Sequence, residues 1–166
     1  MAIVWKMLLD DHVKIGEMFT RYNKGETSLV PAIIEDIEVH DKIEEEVVYP
    51  SVAPLLPDWA LEAEEEHEKM RDLIEQIQDL EPGDPAEKKL MQRLERRFNI
   101  HASREAAVMF PVLKTRLQNE AYEMGRQAFT VRQGQLTTRD RAIRSDNNLK
   151  LPTSGWRQKK VVEGGW

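Results

Sequence analysis

The chain of 166 residues contains no cysteine. That excludes a disulfide framework, thiolate zinc, iron–sulfur clusters and a cysteine nucleophile. Long hydrophobic runs are also missing: no stretch approaches the ~18 apolar residues of a membrane span. The opening MAIVWKMLLDDHVK has no basic segment followed by an apolar one, and Asp10 and Asp11 interrupt it, so it does not read as a signal peptide. A soluble, cytoplasmic protein with no membrane association is the expectation. Positive charge is scarce over most of the chain. Residues 1–115 carry 14 Lys and Arg against 25 Asp and Glu, a net −11, whereas residues 116–166 carry 10 against 5, a net +5. The acidic part is no general nucleic-acid binder, because phosphate contacts need clustered Lys and Arg.

What is present is helical periodicity. Charged residues at 33% and hydrophobic ones at 40% suit a folded helical protein rather than a disordered one. Trp5, Leu8, Leu9, His12, Ile15 and Phe19 recur at helical spacing over residues 5–23. Gly25, Thr27 and Ser28 end that helix and cap a second, residues 29–49, with Pro31 in its first turn and the stripe Ile33, Ile37, His40, Glu44, Val47. Pro50, Pro54 and Pro57 make a stiff connection to a third helix, 58–80, whose stripe is Ala60, Ala63, His67, Met70, Ile74, Ile77. Asp84 and Pro85 then start a fourth, 86–117, with Leu90, Leu94, Phe98, His101, Glu105, Val108 and Val112 inside. Short loops between four amphipathic helices predict an all-α, antiparallel up-down-up-down four-helix bundle over residues 1–118.

The chain also repeats itself. His40-x3-Glu44-x4-Tyr49-Pro50 returns as His101-x3-Glu105-x4-Phe110-Pro111, and Asp11-His12-x-Lys14 returns as Glu66-His67-x-Lys69. Two like helical hairpins are expected, with equivalent residues around one axis.

The sequence has four histidines, one on each stripe. Glu44 and Glu105 follow two of them at i+4, the same helix face one turn on. A lone histidine on an apolar face is usually a satisfied core residue. Two carboxylates and four imidazoles in one small core are another matter, because burying carboxylates without a partner costs several kcal/mol. A shared cation makes that burial tolerable. Six nitrogen and oxygen donors exceed what one tetrahedral zinc needs and suit two carboxylate-bridged metals.

On these residues the chain resembles the hemerythrin-like, HHE cation-binding domain. The resemblance covers residues 4 to 116 and rests on His12, His40-x3-Glu44, His67 and His101-x3-Glu105. It implies two iron ions bridged by an oxo or hydroxo group and by Glu44 and Glu105, with manganese as an alternative. His12 and His40 would hold one ion, His67 and His101 the other. The oxygen-carrying members have a second histidine one turn from the third-helix ligand and an Asp five residues after the fourth-helix histidine. Here Ala63 and Arg71 flank His67, and Glu105 stands four residues on. One ion is thus a ligand short, and Asp41, Glu64 or water are the candidates to complete it. The implied function is binding or reaction with dioxygen, peroxide or nitric oxide, in sensing, scavenging or redox protection. An oxidase or peroxidase, or an iron-responsive interaction module acting through the C-terminal segment, are the alternatives. The helices that carry His40 and His101 show His-x3-Glu in place of ferritin's Glu-x-x-His spacing.

The glutamates of Glu62–Glu68, and Glu45 and Glu46, read as solvated helix faces. Met7, Met18, Met70, Met91 and Met109 read as core filling. Residues 119–166 read as a short helix extension to about Phe129, weakened by Gly125, and from Thr130 as an extended or disordered basic tail. A protein partner for that tail is one expectation. Nucleic acid, suggested by Trp156, Arg157, Lys159 and Lys160, is disfavoured. The tail is expected to be dispensable for metal binding.

Overall fold

The computed structural model describes residues 3–145, with side chains through residue 135. The regular elements among those residues are all helical, without a strand. The chain runs as α1 (Val4–Asn23), α2 (Val30–Ile43), a π-helical turn (Glu44–Val48), α3 (Tyr49–Val52), α4 (Pro57–Gln78), α5 (Ala86–Arg104), a second π-helical turn (Glu105–Met109), α6 (Phe110–Thr115) and α7 (Glu120–Ser145). Among the described residues no helix is long and apolar enough to cross a membrane.

Local chemistry sets the ends of these elements. Gly25 takes a left-handed φ of 106° after α1. Its N–H donates to the Tyr22 carbonyl and that of Glu26 to the Arg21 carbonyl, the pair of bonds that closes a Schellman motif. Thr27 and Ser28 do not cap α2 with a side chain; a 3₁₀ turn at Thr27–Leu29 leads in instead. Asp84 behaves as expected, its Oδ1 accepting from the Ala86 N–H at 2.8 Å at the start of α5.

The two π turns explain the aromatic-Pro endings. A proline ring clashes with the carbonyl four residues back and offers no N–H. In each turn the hydrogen bond is stretched to five residues, Tyr49 N–H to Glu44 and Phe110 N–H to Glu105, and Pro50 and Pro111 follow directly. Such one-turn bulges recur at functional sites. Each inserts a residue and so rotates everything after it. The periodic stripe therefore fails beyond Glu105: Val108 is 36% exposed, whereas Met109 and Leu113 are fully buried. Met109→Ala should cost about 2–5 kcal/mol in urea unfolding, and Val108→Ala less than about 1 kcal/mol. The reverse ranking would restore the uninterrupted α-helical register.

α1 packs on α2 and α4 on α5, and α1 also meets α5. The core lies in two apolar layers. One gathers Ile15, Phe19, Ile33, Ile37, Met70, Ile74, Leu94 and Phe98. The other gathers Leu8, Ile43, Val48, Val52, Ala63, Met109 and Leu113. On every one of these helices the histidine falls between the two layers: His12 between Leu8 and Ile15, His40 between Ile37 and Ile43, His67 between Ala63 and Met70, His101 between Phe98 and Met109. The polar residues thus form a slab with oil above and below.

The largest departure from expectation is α7. The segment from Thr130, expected to be extended or disordered, is helical through Ser145. Ala121, Met124 and Ala128 are buried in the second apolar layer, with Val131 packed against it. These positions repeat at helical spacing, and Gly125, which obscured the pattern, is itself buried on the packed face. α7 lies on α1, α2 and the first π turn. Trp156, Arg157, Lys159 and Lys160 fall outside the described residues.

Candidate metal centre

All six residues singled out by the sequence converge. His40, Glu44, His67, His101 and Glu105 are buried, and the His12 side chain is 9% exposed. The Nε2 atoms of His12 and His40 lie 3.2 Å apart, and those of His67 and His101 lie 3.3 Å apart. Each histidine pair aims its ring nitrogens at a common point.

The two glutamates lie between the pairs. Glu44 places Oε1 at 3.4 Å from His40 Nε2, and Oε2 at 3.3 Å from His67 Nε2 and 3.2 Å from His101 Nε2. Glu105 places Oε2 at 2.9 Å from His12 Nε2, and Oε1 at 3.2 Å from His101 Nε2. Each carboxylate therefore offers one oxygen to each end. Ligand atoms of His40, Glu44, His101 and Glu105 lie within 4.8 Å of one another, and so do those of Asp41, His67 and His101.

Asp41 is the acid that joins the His67 end. It is buried, with Oδ1 at 3.5 Å from His67 Nε2. Glu64, the other acid considered, is exposed on α4. Tyr49 is a further neighbour: its hydroxyl donates to Glu44 Oε2 at 3.1 Å and lies 3.3 Å from His67 Nε2. The ring stacks on His67, with centroids 5.5 Å apart. In the sequence Tyr49 was visible only as half of a Tyr-Pro ending.

Glu45 corrects an expectation. It is not simply solvated: its Oε1 accepts from His67 Nδ1 at 2.8 Å and from Arg71 at 2.7 Å. His67 and Arg71 together draw its carboxyl down to about 2, against the opposing effect of partial burial. A carboxylate behind a histidine fixes which nitrogen carries the proton and leaves Nε2 free as a ligand. Of the Glu62–Glu68 run, Glu66 is likewise not solvated; it is buried and pairs with Lys69 and Arg97.

Electrostatically the slab is frustrated without a cation. Burial pulls the imidazoles down, but the surrounding carboxylates outweigh it: His40 sits well above its ordinary value, His67 at about 9 and His101 at about 10. Burial raises Asp41 to about 6. Glu105 is held well below the usual range because His101, with His12 and His40, overcomes its burial. Buried Asp41 Oδ1, Glu44 Oε1 and both Glu105 oxygens have no hydrogen-bond partner. Native interiors rarely tolerate such orphans. A cation between the histidine pairs would satisfy all four, so the donor set fits a metal site.

The fold and this buried His/Glu cluster place the chain in a class of cation-binding helical proteins. The chain belongs to the Hemerythrin HHE cation binding domain family, which matches residues 4–113 and again 62–146. The second match begins in α4, as the internal repeat of two hairpins would allow. A DNA nickase from Nostoc sp. strain PCC 7120 is 27% identical over 119 residues. That alignment covers 68% of this chain but 34% of the relative, so the chain spans about a third of that protein's length. No solved structure matches the chain.

Proposed function

We propose that the chain is a hemerythrin-type non-haem di-iron protein that binds or reacts with dioxygen, peroxide or nitric oxide. The observation that carries this reading is the division of Glu44 and Glu105, each with one oxygen toward each histidine pair. In this reading residues 1–118 form an antiparallel up-down-up-down four-helix bundle. His12 and His40 hold one ion, His67, His101 and Asp41 the other, and Glu44 and Glu105 bridge them. Manganese is the alternative occupant, since nitrogen and oxygen donors suit both. When bound, a pair of ferrous ions supplies two electrons at one small-molecule site.

The protein's own part is to hold and shelter that site. Leu8, Ile37, Met70 and Phe98, all buried, keep bulk water away. Tyr49 fixes Glu44 Oε2 with its hydroxyl proton, a neutral donor at the His67–His101 end. The role follows as sensing, scavenging or redox protection in the cytoplasm. The Nostoc relative's action on DNA is not carried over, because the aligned part is a third of that protein. The net −11 of residues 1–115 also repels phosphate.

The test is anaerobic loading with Fe(II), metal analysis, and optical spectra before, during and after dioxygen. The expected result is about two irons per chain and a near-ultraviolet charge-transfer band that grows with dioxygen. A band that vanishes under vacuum supports carriage or sensing; one that stays supports an oxidase or peroxidase. No iron retained, or no spectral response to dioxygen, peroxide or nitric oxide, would sink the reading.

A further inference from the structure

Two histidines of the slab have a carboxylate behind the ring, and each of those carboxylates is held by an arginine. Behind His67 stands Glu45, held by Arg71 one turn along α4. Behind His40 stands Asp11, with Oδ2 at 3.6 Å from Nδ1. That Nδ1 is buried and has no hydrogen-bond partner. Arg132 donates to the same Asp11 oxygen. The difference lies in where the arginine comes from. Arg71 is local, whereas Arg132 arrives from α7, 121 residues away in the chain. Asp11 is largely buried, and a buried carboxylate stripped of its partner does not stay put. The place of Asp11 behind His40 therefore depends on α7 lying down on α1 and α2, where Ala121, Met124 and Ala128 anchor it.

We propose that α7 is a working part of the metal centre: Arg132 positions Asp11 behind His40, so that the His12–His40 end takes its ion tightly only while α7 is docked. This rests on the metal-pair reading above. Coupling of this kind is reciprocal, so an ion at that end also holds α7 down. The two ends of the site are then unequal. The His67–His101 end carries its own arginine, while the His12–His40 end borrows one. α7 becomes a helix whose docking reports metal occupancy to the basic segment that follows it. On this proposal, deleting residues 130–166 should weaken metal binding, against the expectation from the sequence, since Arg132 lies among them.

The experiment uses the full-length chain, freed of metal and titrated with Co(II), with amide hydrogen exchange followed over residues 120–145. Wild type should take about two Co(II), and exchange in α7 should slow on loading. Arg132→Gln should keep one step at wild-type affinity, weaken the other about 10- to 100-fold, and lose the metal-dependent slowing in α7. Arg132→Lys, which retains the charge, should recover part of both effects and guards against a fold defect. Arg71→Gln should leave the α7 response in place. The proposal is overturned if Arg132→Gln binds both ions with unchanged affinity, if both steps weaken equally, or if α7 exchange ignores Co(II) in wild type. Failure of the metal reading itself looks different, because wild type would then bind no Co(II) at all.

Discussion

Glu105→Ala should leave the chain with at most one tightly held metal ion and lower its thermal midpoint by about 10 °C even without metal. The first effect follows from the divided carboxylate. Oε2 faces His12 at 2.9 Å and Oε1 faces His101 at 3.2 Å, so one truncation removes a donor from both ends. Each ion bound at a hundredfold excess over its Kd stabilises the fold by about 2.7 kcal/mol, and that contribution goes with it. The second effect belongs to the metal-free chain. Glu105 is fully buried among three imidazoles, and removing one partner of such a cluster costs about 3–5 kcal/mol. Glu105→Gln separates the two, keeping most of the volume while losing the negative charge and one oxygen. Glu66→Ala is the control: Glu66 pairs with Lys69 and Arg97 rather than with the slab, so it should spare the metal and cost less than Glu105→Ala. Elemental analysis with differential scanning calorimetry reads both outcomes. Two ions per chain in Glu105→Ala would show that this carboxylate does not bridge.

The four histidines and two glutamates were legible because each sits where an apolar residue belongs. A helix that spends stripe positions on His and Glu must recover the cost of burying them, and repetition of the pattern in two hairpins made a shared partner the economical answer. Asp41 was legible only as a neighbour of His40; choosing it over Glu64 needed the helix rotation that buries one and exposes the other. Three features escaped for physical reasons. The π turns come from backbone bonding around Pro50 and Pro111, and a 3.6-residue template cannot express an inserted residue, so Val108 stood where Met109 belongs. Glu45 lies beside Glu44 on the adjoining face, and only the approach of α4 turns a solvated acid into a support for His67. The stripe of α7 was present at Ala121, Met124, Ala128 and Val131. Two glycines and many polar residues hid it, and its partner surface on α1 and α2 exists only after the first four helical segments have packed.

The metal-free and metal-loaded proteins should respond oppositely to pH. Without metal, His67 and His101 titrate at about 9 and about 10, above their ordinary values, because Glu44, Glu45, Asp41 and Glu105 outweigh the cost of burial. A group whose folded pKa is raised contributes stability that is complete below its unfolded pKa, about 6.5 for histidine, and is lost as pH climbs through the folded value. Asp41, raised to about 6 by burial, acts in the same direction at lower pH. Glu105 is held low, so its contribution is present above the ordinary carboxylate range and is lost on acidification. The metal-free chain should therefore be most stable at about pH 4.5, lose stability as Asp41 ionises, and weaken further toward pH 9.5 as His67 and His101 give up their protons. Metal ions bind neutral imidazole and ionised carboxylate, so protons compete with them and occupancy strengthens as pH rises. Thermal midpoints measured in chelator and in excess Mn(II) should nearly coincide at pH 5 and separate steadily toward pH 9. Parallel curves would mean that the buried histidines titrate without any bearing on the ion, and the slab would then be a hydrogen-bonded core rather than a metal centre.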